Sequence, residues 1–284
     1  MKIIVTGCSG HLGPWLIKDL LENGHEAVGL DLHPPVNPLC PVLSADLLNS
    51  GDVYSAIYAE QPDAIINLAA IPRPGITPAR HTFLTNVTIA YNIFEAAAAL
   101  GVPKIAHAST DSSYGMAFAK YPFLPEYLPM DEEHPQYPQD CYGGSKIINE
   151  QTAKIFSRAN PDMQFVCVRI CGLTEPEYLN DFRKIDHSSF ENIKGGIRGL
   201  FSYIDMRDAA SGFRLAVEND VPGFSAFNVM AKDTFTYIET DKLVSHFFPG
   251  IETRKVFSGN EALFSSEKAT RILGWSQKYS WREH

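Results

Sequence analysis

Tyr142 and Lys146 carry the clearest chemical signal in this sequence. They lie four residues apart at the start of a segment whose apolar pattern is typical of a helix, so both side chains project from one helix face. An ammonium group beside a phenol stabilises the phenolate and lowers the tyrosine pKa toward the working pH. Thr110 follows an earlier predicted strand and could hydrogen-bond the same phenol oxygen or the oxygen of a substrate. The three residues predict a site in which Tyr142 transfers a proton.

A glycine-rich turn near the start of the chain gives that pair a context, because a tyrosine and a lysine at this spacing also occur by chance. The β-branched run 2–5 precedes Gly7, and Gly10 and Gly13 follow before an amphipathic helix. Gly7 permits a sharp turn, Gly10 lets the backbone approach a pyrophosphate, and Gly13 lets helix and strand pack closely. Free amides at the helix start favour an anion. The spacing differs from the commonest dinucleotide fingerprint, so the glycines alone are weak evidence.

Two aspartates follow the next predicted strands. Asp31 closes the second strand about 20 residues after the glycines, where a carboxylate can bind the adenosine ribose hydroxyls and repel a 2'-phosphate. The apolar run that ends at Asp46, 42–46, is predicted to be the third strand and to bring Asp46 to the adenine edge, although a surface-loop aspartate is the alternative. The pattern predicts NAD as cofactor in preference to NADP.

The middle of the chain continues the alternation of strand and helix. The fourth predicted strand, 63–70, runs into Leu68, Ala69 and Ala70, beside which the ribose and nicotinamide could lie against the backbone. The proline-rich loop 71–78 offers Arg73 to an anionic or polyhydroxyl substrate, with a solvated arginine as the alternative. Five strands alternating with helices predict an α/β fold with a doubly wound parallel sheet.

Composition excludes several classes of protein. The 284 residues are 45% hydrophobic and 20% charged, which is ordinary for a globular chain, and the net charge of -9 argues against nucleic acid or anionic membranes as partners. The sequence shows neither a secretory signal nor an apolar run long enough for a membrane span, so we expect a cytoplasmic protein. The five cysteines form no C-x-x-C pair and share no ligand spacing with histidines, so we expect reduced thiols and no metal site.

Taken together, these motifs resemble the extended short-chain dehydrogenase/reductases, the NAD-dependent epimerase/dehydratase group. The resemblance rests on Thr6-Gly7-x-x-Gly10-x-x-Gly13, Asp31, Asp46-Leu47, Leu68-Ala69-Ala70, Asn86, Thr110, Tyr142-x-x-x-Lys146 and Arg169, and continues through 203–208 and 268–275. It implies a Rossmann-type sheet, Tyr142 as acid/base, Lys146 holding the nicotinamide ribose and Thr110 orienting the reacting hydroxyl. It also implies contacts to NAD from His11, Leu12, Leu47, Asn86 and Ile170.

Departures from the family pattern narrow the expected reaction. Dehydratases of the family tend to follow the threonine with Asp-Glu, whereas Thr110 is followed by Asp111 and Ser112, which we expect at the substrate. Nucleotide-sugar epimerases usually carry a long insertion after the sixth strand, but the segment between Gly172 and Tyr203 is short and contains Arg183, a further substrate candidate. The segment resembles that of the uronate and free-sugar dehydrogenases.

We therefore expect an NAD-dependent oxidoreductase that removes hydride from a carbon bearing a sugar hydroxyl. The alternatives are a nucleotide-sugar 4-epimerase using the same Tyr142 and Lys146, and a non-catalytic NAD-binding sensor. The expected domains are an NAD-binding domain, 1–171 with 203–230, and a small substrate-binding lid, 172–202 with 231–284. The family resemblance and the apolar character of the helices predicted at 81–100 and 140–157 together predict a homodimer.

Overall fold

The first strand, turn and helix adopt the predicted order. In the structure, a computed structural model that describes residues 1–283, β1 (Lys2–Thr6) is buried over Ile3, Ile4 and Val5 and leads through the glycine turn into α1 (Gly13–Glu22). Leu16, Ile17 and Leu20 form the buried face of α1, at the spacing that one helix face requires. The β-branched strand and the amphipathic helix thus follow directly from their sequence patterns.

Within residues 1–283, seven strands form one parallel sheet, and six of them follow β1 in the chain: β2 (Glu26–Asp31), β3 (Val42–Ser44), β4 (Ala64–Asn67), β5 (Lys104–Thr110), β7 (Gln164–Ile170) and β10 (Gly223–Asn228). Their order across the sheet is β10-β7-β5-β4-β1-β2-β3. Chain order reverses on either side of β1, because β2 pairs with one edge of β1 and β4 with the other. This is the topological switch point at which doubly wound sheets bind ligands.

Helices cover both faces of the sheet. The helices are α1, α2 (Ser50–Glu60), α3 (Ala79–Leu100), α4 (Cys141–Ala159), α5 (Phe190–Ile193), α6 (Met206–Glu218), α7 (Thr240–Phe247) and α8 (Glu267–Leu273). Apolar residues of α2, α3 and α4 pack in one cluster with the sheet, and those of α1 and α6 pack in a second cluster. Two-sided coverage explains why the strands are apolar on both faces. The predicted α/β fold class is confirmed.

One predicted element boundary is wrong in a way that affects the site. The third strand is expected to reach Asp46, but β3 ends at Ser44. Asp46 lies after the strand and accepts a hydrogen bond from the Leu48 amide, 2.9 Å away, while its own amide donates to Asp52. These local bonds between side chain and backbone compete with strand pairing, which is why an aspartate closes the strand early.

Among residues 1–283, α3 is the one helix whose length and composition would suit a membrane span. Its inner face is nevertheless buried in the protein and includes polar Asn86 and Asn92, and the Asn92 amide donates to the Leu47 carbonyl at 2.9 Å. Buried, hydrogen-bonded amides on the face toward the sheet identify a core helix.

Several short elements lie outside the seven-stranded sheet. These are β6 (Tyr127–Leu128), β8 (Leu173–Thr174), β9 (Ile204–Asp205), β11 (Glu252–Thr253) and 3-10 turns at 111–114, 176–184 and 194–199. Trp281 is fully buried with Leu179 and Tyr203 in a cluster of its own, and its indole donates to the Thr234 carbonyl at 3.0 Å. Trp275 is also fully buried, with its indole bonded to the Asp208 carbonyl. Both tryptophans are therefore packing residues.

Candidate active site

A cavity of about 700 Å³ opens where β1, β4, β5 and β7 end at their carboxyl edge. Among the residues singled out from the sequence, those that line it are Gly7, Gly10, His11, Leu12, Gly13, Leu68, Ala70, Arg73, Thr110, Asp111, Ser112, Tyr142, Lys146 and Ile170. The glycine turn and the Tyr142–Lys146 pair are more than a hundred residues apart in the chain but border one space. A ligand in this cavity can contact the glycine turn and the Tyr142 phenol at the same time.

The Tyr142–Lys146 pair lies on the first turns of α4. Asp140 caps the helix by accepting hydrogen bonds from the Tyr142 and Gly143 amides, both at 2.9 Å. The Lys146 ammonium donates to the Ala108 carbonyl at 2.7 Å and lies 5.7 Å from the centroid of the Tyr142 ring. The helix cap and the bond to β5 together fix the lysine against the end of the sheet.

The acid strengths of the two groups differ from the expectation. Burial raises the pKa of Tyr142 above its ordinary value, and the charges of Asp111 and Asp140 act in the same direction against the hydrogen bond from Thr110. Burial also lowers the pKa of Lys146 to about 8. The predicted lowering of the tyrosine pKa by the lysine is therefore wrong for this structure, because burial of the phenol dominates and the ammonium is bonded to the Ala108 carbonyl instead.

Thr110 and Asp111 continue from β5 into a 3-10 turn at the cavity wall. The Thr110 hydroxyl donates to the Asp111 carboxylate at 3.0 Å and accepts from the Ser112 amide at 3.1 Å. The Ser112 hydroxyl lies 3.3 Å from the same carboxylate oxygen. Burial raises the pKa of Asp111 to about 6, against these hydrogen bonds. Near neutral pH, Asp111 can therefore exchange a proton or accept hydrogen bonds from hydroxyl groups in the cavity.

The glycine turn has the shape that its spacing predicts. Gly7 has φ of +68°, and a Cβ there would lie 2.7 Å from the Ala69 amide nitrogen. A Cβ on Gly13 would overlap the Cys8 carbonyl, whereas a Cβ on Gly10 would approach only the Gly7 carbonyl oxygen, at 3.2 Å. Gly7 and Gly13 are therefore required by the fold, while Gly10 leaves exposed backbone at the cavity. This cradle fits the pyrophosphate of a dinucleotide.

Comparisons with known proteins agree with this geometry. The profile of the NAD-dependent epimerase/dehydratase family matches residues 3–229. The chain belongs to this family. A UDP-glucose 4-epimerase from Lacticaseibacillus casei is 25% identical over 318 residues, which cover 98% of this chain and 92% of that enzyme.

Solved structures share the fold of this family member. A short-chain dehydrogenase/reductase superfamily protein from Agrobacterium tumefaciens with bound NAD has a TM-score of 0.74 and 21% identity, over 99% of this chain and 94% of that one. A mutated uronate dehydrogenase has a TM-score of 0.68 and 20% identity, over 99% of this chain and 84% of that one. The expected cofactor, NAD, is that of the family.

Asp31, at the end of β2, is held in place by two backbone amides. Its carboxylate accepts hydrogen bonds from the Ser9 and His33 amides, both at 3.0 Å. The carboxylate thereby joins the glycine turn to the loop after β2. Asp31 does not line the cavity described above, nor does Asp46, and Leu47 is buried in the apolar cluster beneath β3. Contacts from these three residues to the adenosine stay predictions.

Asn86 supports the cavity from behind. Its amide accepts from the Ile71 backbone amide at 2.8 Å and donates to the Ile71 carbonyl at 3.1 Å, so it holds the loop after β4. It also donates to the Ser145 hydroxyl on α4. Asn86 is almost completely buried, and Ala69 packs against the apolar cluster on the α3 side of the sheet. Both residues lie next to the cavity without lining it.

Arg183 is not at the cavity. Its guanidinium donates to the carbonyls of Trp281 and Arg282, at 3.3 and 3.1 Å. The side chain is used to fasten the C-terminal segment, so the expectation that it contacts substrate is wrong for this structure. Sequence position alone gave no indication of this use, because the partners are about a hundred residues away in the chain.

Several lining residues were not identified from the sequence. They are Pro72, Ala108, Ser109, Ala117, Phe118, Cys171, Gly172, Leu173, Gly199, Ser202 and Met206. Most of them lie in connecting segments without a periodic pattern. A usable signal was that Cys171, Gly172 and Leu173 directly follow β7, at the same sheet edge as Thr110.

Proposed function

We propose that this protein is an NAD-dependent dehydrogenase that oxidises a hydroxyl-bearing carbon of a free sugar or sugar acid. The observation that carries the proposal is the packing of the segment between Gly172 and Tyr203 and the contacts of its charged side chains. Its first 3-10 turn, 176–184, buries Leu179 beneath Tyr203 and Trp281, and none of the cations in the segment lines the cavity. Arg183 binds backbone carbonyls, Lys184 pairs with Asp181 and Lys194 with Glu191, while Arg198 is exposed. A segment used in this way offers little to a nucleoside diphosphate.

In the proposed reaction, Tyr142, which its raised pKa keeps protonated near neutral pH, first loses its proton to solvent. The phenolate then takes the proton of the substrate hydroxyl, and the Thr110 hydroxyl orients that group. NAD, when bound, supplies the hydride acceptor. Gly10 and the amides at the start of α1 would hold its pyrophosphate, Asp31 its adenosine ribose and Lys146 its nicotinamide ribose. Asp111 and Ser112 would accept or donate hydrogen bonds to further hydroxyls of the substrate.

Arg73 supplies the cation of the proposed substrate site. It lines the cavity on the exposed loop after β4, whereas Asp111 lines the same cavity after the end of β5. A carboxylate on the substrate would therefore be favoured beside Arg73 and disfavoured beside Asp111.

We also propose that residues 172–202 and 231–284 form the substrate lid over an NAD-binding domain of 1–171 with 203–230.

The second candidate function is a UDP-sugar 4-epimerase, which is favoured by the near-complete coverage of the epimerase from L. casei. The same Tyr142 and Lys146 would serve, but the hydride would return to the other face of the carbon. A non-catalytic NAD-binding sensor is disfavoured because Tyr142, Lys146 and Thr110 all meet at the cavity.

The test is NADH formation, measured by absorbance, with free aldoses, uronates and UDP-sugars as substrates. We expect net NADH from a free sugar or uronate and none from UDP-sugars. Interconversion of UDP-glucose and UDP-galactose without net NADH would instead establish the epimerase. Tyr142→Phe is the matched control, because a true substrate should lose its NADH signal in that variant while NADH itself still binds.

A further inference from the structure

A buried ion pair, Glu150 with Arg169, joins α4, the helix that carries Tyr142 and Lys146, to β7. Glu150 is fully buried on α4, and Arg169 on β7 is 4% exposed. The guanidinium contacts the carboxylate twice, with Nη2 2.7 Å from Oε2 and Nε 2.9 Å from Oε1. A bidentate pair of this kind has a fixed geometry. The pair contacts neither the glycine turn nor Arg73, and the proposed reaction assigns it no role.

The pair connects the elements that carry Thr110 and Lys146. Glu150 follows Lys146 by one helical turn, and its Oε1 accepts a hydrogen bond from the Ser109 hydroxyl at 2.6 Å. Ser109 lies between Ala108, whose carbonyl accepts from the Lys146 ammonium, and Thr110. Ser109 is also the register partner of Arg169 on the neighbouring strand. The carboxylate therefore fixes the last residues of β5 against α4.

The other end of Arg169 fixes the turn that carries Asp111. Its Nη1 donates to the Tyr114 hydroxyl at 2.9 Å, and that hydroxyl donates to the Asn228 side chain at 2.8 Å. Tyr114 is the last residue of the 3-10 turn that begins at Asp111. One hydrogen-bond network thus holds both the end of β5 against α4 and the 3-10 turn that begins at Asp111.

Packing alone does not require charges here. Replacing a buried ion pair by apolar residues of similar volume is often neutral or stabilising. The charge has a second effect, because the Glu150 carboxylate opposes the burial that lowers the pKa of Lys146 to about 8. The other titratable groups that interact with the lysine are Tyr142 on α4, His107 on β5 and Cys167 on β7. Burial keeps the His107 and Cys167 side chains neutral, so Glu150 is the anion among them, and the Arg169 guanidinium bonded to it is the cation that opposes its effect on the lysine.

We propose that Glu150 is a positioning residue which, clamped by Arg169 and Ser109, holds the Lys146 ammonium charged and fixed beside Tyr142. The inference rests on the proposed role of Lys146 toward the nicotinamide ribose. It assigns to the ion pair a function that apolar packing could not replace.

The test is NADH affinity, measured by fluorescence titration at pH 6 and pH 8 without substrate. The variant Glu150→Met/Arg169→Leu removes both charges and keeps apolar volume. If the lysine pKa falls by one unit from about 8, its charged fraction at pH 8 falls about fivefold, while at pH 6 it hardly changes. We expect NADH affinity to fall by about that factor at pH 8 and by less than about twofold at pH 6.

Two controls separate this effect from general loosening and from failure of the proposed function. Arg214→Leu removes two partly buried ion pairs, one with Asp19 on α1 and one with Glu218 on α6, and should leave the ratio of the two affinities unchanged. Lys146→Met should weaken binding at pH 6. If Lys146→Met has no effect, the role assigned to the lysine is wrong.

Equal losses at both pH values in the double variant, or no loss, would overturn the role of Glu150 while leaving that of Lys146 intact. Should the double variant not fold, Glu150→Gln keeps the shape of the side chain and an acceptor for Ser109. The same pH-selective loss is then expected, and a uniform loss again contradicts the proposal.

Discussion

At the scale of single residues, burial shifts the pKa values of Tyr142 and Lys146 in opposite directions. The phenol is raised above its ordinary value and the ammonium is lowered to about 8. In the absence of ligands the tyrosine is therefore protonated, and the lysine is close to its own titration point at mildly alkaline pH. The arrangement holds both groups in place, and their final protonation states depend on what fills the cavity.

The first prediction compares the two members of the pair. Tyr142→Phe should reduce turnover about a hundredfold or more, the usual contribution of a positioned acid/base, while NADH binding stays near that of the wild type. Lys146→Met should lose both turnover and NADH affinity, because its ammonium contacts β5 and is proposed to hold the ribose. Steady-state kinetics and NADH titration of both variants test this. Near-normal oxidation by Tyr142→Phe would transfer the acid/base role to another group, of which Asp111 is the nearest candidate.

The second prediction concerns the buried charge of Asp111. Its folded-state pKa of about 6 lies above the ordinary 3.8, so the folded state binds an extra proton between these values. Its contribution to stability is therefore fully present below about pH 4 and is lost as the pH rises through 6. Asp111→Asn removes that loss and should stabilise the fold at pH 8 by about 1–3 kcal/mol relative to the wild type.

Urea unfolding at pH 4.5 and pH 8 measures this difference. The advantage of Asp111→Asn should be large at pH 8 and small at pH 4.5. Asp208 also has its pKa raised to about 6 by burial, but it is present in both proteins and cancels in the comparison. An advantage that is the same at both pH values would mean that the hydrogen bonds of Asp111, rather than its charge, determine the effect.

At the scale of elements, the glycine turn between β1 and α1 contains one glycine that the packing requires, Gly13, and one that lies at the cavity, Gly10. The third prediction uses this difference. Gly13→Ala should destabilise the protein by about 2 kcal/mol or more, because its Cβ would overlap the Cys8 carbonyl and the backbone must move. Gly10→Ala should change stability by less than about 1 kcal/mol, since its Cβ approaches only the Gly7 carbonyl oxygen at 3.2 Å.

Gly10→Ala should instead affect NADH binding. Gly10→Ala places a methyl group at the cavity and should weaken NADH binding about tenfold, which corresponds to about 1.4 kcal/mol. Thermal unfolding and NADH titration of both variants provide the measurement. If Gly10→Ala binds NADH as tightly as the wild type, the pyrophosphate does not approach the turn at this residue.

At the scale of the whole molecule, α3 and α4 pack side by side on one face of the sheet and carry exposed apolar residues. Leu84 and Tyr91 on α3 are 43% and 46% exposed, and Ile148 and Ile155 on α4 are 41% and 62% exposed. Each pair is seven residues apart and so lies on one face of its helix. Tyr91 also touches Phe156 edge-on, 5.6 Å between ring centroids, which makes the outer faces of the two helices neighbours.

The fourth prediction is that this surface joins two copies of the chain about a two-fold axis. A self-complementary interface buries the same apolar residues on both copies. Light scattering at micromolar concentration should give twice the mass of the chain, and Tyr91→Glu/Ile155→Glu should give a monomer. Tyr58→Glu on α2, also exposed and outside α3 and α4, is the matched control and should leave the mass unchanged. A monomeric wild type would show that these exposed residues do not mediate association.

Local sequence patterns were sufficient to predict the sheet class, the glycine turn and the position of Tyr142 and Lys146 on one helix face. Each of these depends on local periodicity and backbone geometry, which neighbouring residues impose wherever the segment lies. The family resemblance extended this to the cofactor. The sequence also placed Asp31 at the end of its strand, because the strand pattern and the distance from the glycines were sufficient.

Tertiary structure alone decided how these residues behave. The raised pKa of Tyr142, the use of Arg183 to fasten the C-terminal segment and the ion pair of Glu150 with Arg169 all depend on groups distant in the chain. Desolvation and hydrogen-bond partners are set by what packs around a side chain, and no local pattern encodes them. For the same reason, the sequence could place Tyr142 on the helix face but not tell that burial would raise its pKa.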